Sequence, residues 1–124
     1  MHTFSKEERL CNRKLLDKLF HSGSSFVLHP FRIIWLYEAL QVPAQVVIGV
    51  PKRKFKRAVD RNLLKRRIRE IYRQHKDDFL YSFLKQHTIL LSITYIGKEI
   101  TEYAYMEKKI LQVFEKLNKM CQEI

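Results

Sequence analysis

Hydrophobic and polar positions along this chain switch between a helical and a strand period, and the switches mark its elements. Leu15, Leu16, Leu19 and Phe20 recur at helical steps, Asn12 stands where a cap is wanted, and Gly23 offers a left-handed end, so a first helix is predicted. Ahead of it, Ser5 and Glu8 have the spacing of a capping box and predict a short turn. Phe26 to Leu40 is rich in aromatic and β-branched residues, which predicts one or two strands interrupted near Pro30. After a break at Val42-Pro43-Ala44, Gln45 to Val50 reads as a compact strand closed by Pro51. A second helix is predicted from between Lys56 and Ala58 to about Lys85, bending around His75 to Asp78 where polar residues crowd. Thr88 to Ile96 is an apolar run of strand length ending at Gly97. Tyr103, Met106, Ile110, Val113, Phe114, Leu117 and Cys121 then recur at three- and four-residue steps in a last helix that Thr101 can cap.

Written out, the order is α-β-β-β-α-β-α. Such interleaving predicts an α+β fold, a small two-layer sandwich with helices packed on one sheet. The 124 residues suit a single domain, 1–124, able to bury roughly two-thirds of its unfolded surface. No internal repeat or low-complexity segment divides it.

Charge sharpens the picture. The formal net charge is +11, from 24 Lys and Arg against 13 Asp and Glu. Lys52 to Arg73 holds eleven basic residues against Asp60 and Glu70, a local net of +9, while the remaining 13 basic and 11 acidic residues nearly cancel. A charge confined to one segment points to a localised polyanion partner, because self-repulsion at this density needs an offsetting ligand. On a helical wheel of about 100° per residue, Leu64, Ile68, Ile71 and His75 form a core stripe flanked by Tyr72. Asn62, Lys65, Arg66, Arg69 and Arg73 gather on the opposite side. Arginine suits such a ridge because its planar fork can hydrogen-bond two phosphate oxygens and can stack on a base. The pattern predicts nucleic-acid binding and does not separate RNA from DNA.

Other classes fit less well. No apolar run approaches the roughly 20 residues of a membrane-spanning helix, and the start, Met1 to Glu8, lacks the apolar stretch of an export signal. A cytoplasmic protein without membrane contact is expected. Cys11 and Cys121 lack metal-ligand spacing and read as reduced thiols. An autonomous nuclease would need gathered carboxylates or a histidine pair. Asp77 and Asp78 are adjacent and point apart on a helix, and His2, His21, His29, His75 and His87 show no ligand spacing. A helix-turn-helix DNA binder needs a short helix just ahead of the basic one, where a strand is predicted instead. A structural RNA binder of ribosomal type, without a role in tRNA processing, remains compatible with the basic helix.

The basic helix reads Ala58-Val59-Asp60-Arg61-Asn62-Leu63-Leu64-Lys65-Arg66-Arg67-Ile68-Arg69-Glu70. In this form it resembles the signature of the bacterial ribonuclease P protein family. The similarity extends to Arg9-Leu10, to the helix that ends at Gly23, to the aromatic strand, to Val47 to Val50 before a basic loop, and to the closing helix. The resemblance implies a fold of the ribosomal protein S5 domain 2-like kind, with a left-handed crossover carrying the signature helix. It implies a protein subunit, monomeric within a ribonucleoprotein, whose partners are a catalytic RNA and precursor tRNA. On that reading the RNA, with magnesium, removes the 5′ leader, and the protein supplies no catalytic residue, metal ligand or cofactor of its own.

Carried over by position, Arg61, Asn62, Lys65, Arg66, Arg69 and Arg73 match the RNA-binding ridge and Arg53 and Lys54 the basic loop before it, and Lys56 and Arg57 beside them are also expected to bind RNA. Leu16, Phe20, Arg32 and Ile34 match a cleft for the leader. Phe31, Ile33, Trp35 and Tyr37, at every second position, read as a core face, which leaves Arg32 and Ile34 facing the cleft. The chain departs from the family in three respects, at four positions: Leu63 replaces a further arginine after Asn62, Lys56 replaces a glycine, and Leu16 and Ile34 stand where aromatics are common.

Overall fold

The computed structural model describes residues 4–85 and 87–122, so Met1, His2 and Thr3, read above as part of a start without an export signal, lie outside it. Strands β1 (Ser24–Leu28), β2 (Phe31–Tyr37), β3 (Ala44–Gly49) and β4 (Ile89–Tyr95) form one sheet in the order β1-β2-β4-β3. The β1-β2 and β2-β4 pairs are antiparallel. β3 lies parallel to β4, which follows from the crossover that joins them through helix α2 (Ala58–Lys76). The aromatic segment is thus two strands, turning at His29 and Pro30 as expected. Central β4 is covered on both faces, which explains why its sequence is an unbroken apolar run.

One face of the sheet carries the main core. Phe31, Ile33 and Trp35 of β2, Val46 of β3, and Leu91, Ile93 and Tyr95 of β4 pack there with Leu64, Ile68, Ile71 and Tyr72 of α2. Met106, Ile110, Val113, Phe114 and Leu117 of α4 (Tyr103–Gln122) complete it. The opposite face holds a smaller cluster, where Leu19 of α1 (Arg13–Ser22) joins Leu10 and Leu90 beneath Leu15, Leu16, Ile34, Leu36, Leu40 and Val47. Among the described residues no helix is long and apolar enough to cross a membrane.

Several local expectations are corrected. Ser5 precedes a short 3-10 turn, Lys6–Glu8, but its side chain makes no cap hydrogen bond, so the capping box does not form. Glu8 turns instead to the buried amine of Lys76, which also lies 5.9 Å from the Phe4 ring and 5.6 Å from that of Tyr81. Leu10 donates its N–H to the Val46 carbonyl at 2.9 Å, so the N-terminal segment covers the edge of β3. The long second helix is continuous to Leu84 only through a π-helical turn, Asp77–Tyr81, followed by the short helix α3 (Ser82–Leu84). This wide turn falls at the predicted bend and rotates the helix so that Leu80 and Leu84 reach the core. His75 lies at the edge of the predicted core stripe, half-buried, with Nε2 2.8 Å from Glu107 Oε2. α4 begins at Tyr103, just after the predicted cap, and the Thr101 hydroxyl lies 3.1 Å from Tyr95 Oη.

Asn12 caps α1 as predicted, its Oδ1 accepting the Leu15 N–H at 3.2 Å. Gly23 ends that helix with φ −73° and ψ 152°, an extended conformation and not the left-handed one expected. Glycine is required there for space: a Cβ would come within 2.5 Å of the Leu19 carbonyl oxygen and 2.7 Å of Ile34 Cγ2. Because one contact is backbone and the other a branched core side chain, Gly23→Ala is expected to destabilise the fold by about 1–3 kcal/mol. Urea unfolding measures this, and an unchanged midpoint would mean that α1 yields without cost.

Candidate nucleic-acid interface

The approach loop is rigid because one apolar residue is driven inward. Phe55 is buried and meets the Tyr95 ring at 5.8 Å, edge-on, while the Pro51 carbonyl accepts the N–H groups of Lys54 and Phe55, both at 3.2 Å. Lys52, Arg53, Lys54, Lys56 and Arg57 are left exposed around that anchor. Lys54 is tethered too, donating through Nζ to the Ile96 carbonyl at 2.7 Å. Arg61 takes a different position from the one its place in the motif suggested. Its Nη1 turns back to the loop and donates to the carbonyls of Phe55 at 2.7 Å and Lys56 at 2.9 Å. It therefore locks the loop to the start of α2, with its guanidinium half-buried.

Beyond Arg61, the outward face of α2 is largely as predicted. Asn62, Arg66 and Arg69 are exposed and Lys65 is half-exposed. Arg73, also half-exposed, is tied to Glu70, with Nε 3.0 Å from Oε2, and Gln74 Nε2 donates to Glu70 Oε1 at 2.9 Å. The hydrogen bond from Arg73 holds the Glu70 carboxyl below the usual glutamate range, outweighing the opposing effect of burial. Arg67, not assigned to the ridge, anchors the approach to α4 by donating through Nη1 to the Thr101 carbonyl at 2.7 Å. Val59 is 69% exposed and Leu63 half-buried, so an apolar strip runs beside the cations.

The residues assigned to the second surface separate into two groups. Leu16 and Ile34 are partly buried and pack against the Leu10, Leu19 and Leu90 cluster between α1 and the sheet. Phe20 is 55% exposed and Arg32 is exposed, so both are open to a ligand. Register places Val27, Arg32, Thr94 and Gly49 in one row across all four strands, and Val27 is 56% exposed. Sequence reading missed Val27, although its alternation with buried Phe26 is the signal that would have found it. Among the described residues no group of His, Cys, Asp and Glu side chains is arranged to hold a metal ion.

The Ribonuclease P family model matches residues 4–119. A ribonuclease P protein component from Petrotoga mobilis is 35% identical over 117 residues, 93% of this chain and 95% of that one. One from Porphyromonas gingivalis is 32% identical over 108 residues, covering 84% of this chain and 78% of its own length. Among solved structures, the RNase P protein from Thermotoga maritima superposes with a TM-score of 0.72 at 22% identity, covering 88% of this chain and 96% of that one. The Staphylococcus aureus RNase P protein gives a TM-score of 0.70 at 19% identity, with 90% and 96% covered. The structural likeness carries the fold and the sequence matches carry the family: this chain belongs to the ribonuclease P protein component family and is a subunit of that endoribonuclease.

Proposed function

We propose that the chain serves ribonuclease P by holding RNA on two surfaces. The exposed face of α2 and its approach loop lie along the catalytic RNA, and the open sheet face beside Phe20 and Arg32 receives the 5′ leader of precursor tRNA. The observation that carries this reading is the placement of a segment of net charge +9 on one anchored loop and one helix face, backed by a buried apolar stripe. Phosphate contacts from such a ridge raise affinity and fix orientation without chemistry of their own. In this reading cleavage belongs to the RNA and its bound magnesium, and the protein acts as one copy within a cytoplasmic ribonucleoprotein. The leader surface is less aromatic than the family pattern, because Leu16 and Ile34 form its wall, so Phe20 carries most of its stacking.

Reversing the charges of Arg66 and Arg69 to Glu is expected to abolish stimulation of precursor-tRNA cleavage when the protein is added to a bacterial ribonuclease P RNA at low magnesium. Neutral replacement of either should lower the slope of log affinity against log salt by about 0.7–0.9 for each phosphate that is no longer neutralised. Unchanged cleavage would remove the ridge from the RNA interface. A pH titration tests the Glu70-Arg73 tie separately. A carboxyl whose folded pKa lies below its unfolded value stabilises the fold above the ordinary range and loses that contribution as pH falls through the folded pKa. Carbon-detected NMR should therefore find Glu70 titrating below the ordinary value of about 4.3. A midpoint at or above it would show that Arg73 does not hold Glu70 in solution.

A further inference from the structure

Beside the ridge, α2 and α4 enclose an open groove of about 440 Å³ lined by Leu63, Arg66, Arg67, Glu70 and Tyr103. That lies within the roughly 300–1,000 Å³ of small-ligand clefts. Its walls are chemically unlike the rest of the face. Tyr103 is half-buried with its ring packed against the main core, and its hydroxyl is close enough to Glu107, Glu70 and Arg73 to feel their charges. Leu63 supplies an apolar surface at the position where the family pattern has an arginine. Arg67 is immobilised by the Thr101 carbonyl at 2.7 Å, and Glu70 is held by Arg73 and Gln74, so the groove is formed in advance of any ligand.

Taking as given that the α2 ridge binds RNA, we infer that this groove receives one unstacked base of the bound RNA strand. A phosphate would gain from Arg66 but face the Glu70 carboxylate and the apolar Leu63, while Arg67 is already engaged with the Thr101 carbonyl, so the groove suits it less than a base. A base gains on every wall: its faces stack on the tyrosine ring and an arginine plane and cover Leu63. Its exocyclic amino group can donate to the Glu70 carboxylate. Charge complementarity delivers it, since Arg66 lies at once in the groove and on the cationic face along which the backbone runs. Leu63 therefore exchanges a phosphate contact for a base-binding wall, and Tyr103 becomes a specificity-determining residue of the RNA interface.

Base stacking and phosphate pairing respond differently to salt, which makes the inference testable on the full chain with a bacterial ribonuclease P RNA. Tyr103→Leu is expected to weaken binding about tenfold at every salt concentration, leaving the slope of log affinity against log salt unchanged. Arg66→Gln should lower that slope, and Tyr103→Phe should restore most of the affinity that Tyr103→Leu removes. Because Tyr103 also touches the core, a second measurement is made on Tyr103→Trp, whose added indole emission should be quenched when RNA binds. Binding by Tyr103→Leu within twofold of the parent, or a slope reduced as much as in Arg66→Gln, overturns the inference. So does indole emission that RNA leaves unchanged. If Arg66→Gln weakens binding in those cases, the ridge stands and only the base site falls. If the unmodified chain does not bind the RNA, both readings fail.

Discussion

The burial of one side of α2 is the constraint on which the rest of this structure depends. A helix bearing Lys65, Arg66, Arg69 and Arg73 on one face carries like charges at adjacent turns, a pattern that destabilises an isolated helix. Here Leu64, Ile68, Ile71 and Tyr72 are completely withdrawn from water against the sheet and α4. Each fully buried side chain of this size contributes about 1.5–3 kcal/mol, several times what a repulsive surface pair costs. Apolar burial on one side thus stabilises a charged surface that would not persist alone.

The same dependence appears at both ends of the helix. At its start, Phe55 is buried and Arg61 turns back to bind two loop carbonyls, so two residues order the five exposed cations of the loop. At its far end, the π-helical turn rotates the chain, bringing Leu80 and Leu84 into the core, and Lys76 is enclosed with Glu8, Phe4 and Tyr81. That enclosure ties the N-terminal segment to α2, and the same segment protects the edge of β3. Interface and framework are therefore coupled: the cations that face outward are positioned by residues that face inward.

Much of the architecture was legible in the chain because it rests on local periodicity. The two helical stripes, the alternation in β2 and the apolar run of β4 each report which side an element buries. The localisation of charge and the outward placement of Asn62, Arg66 and Arg69 follow from the same arithmetic. What was not legible involves partners distant in sequence. Arg61 was assigned to the ridge by its place in the motif, which does not record the loop carbonyls of Phe55 and Lys56 that capture its guanidinium. Lys76 was read as one more polar residue of the bend, since nothing local announces that Glu8 lies opposite it. Gly23 was expected to be left-handed, and the approach of the Leu19 carbonyl and of Ile34 shows that it is needed for space instead.

Sequence alone therefore determined the element order, the buried faces and the cationic character of α2, because helical and strand periods and net charge are properties of short segments. Tertiary structure decided which cations hold the loop and which face outward into solvent, as Arg61 and Arg66 do respectively. It decided also that Leu16 and Ile34 pack into the smaller apolar cluster while Phe20 and Arg32 stay exposed. It brought Tyr103 of α4 against Leu63 and Glu70 of α2. The physical reason is common to all of these: hydrogen bonds and packing between segments far apart in the chain depend on how the sheet and helices are stacked, which no local pattern encodes.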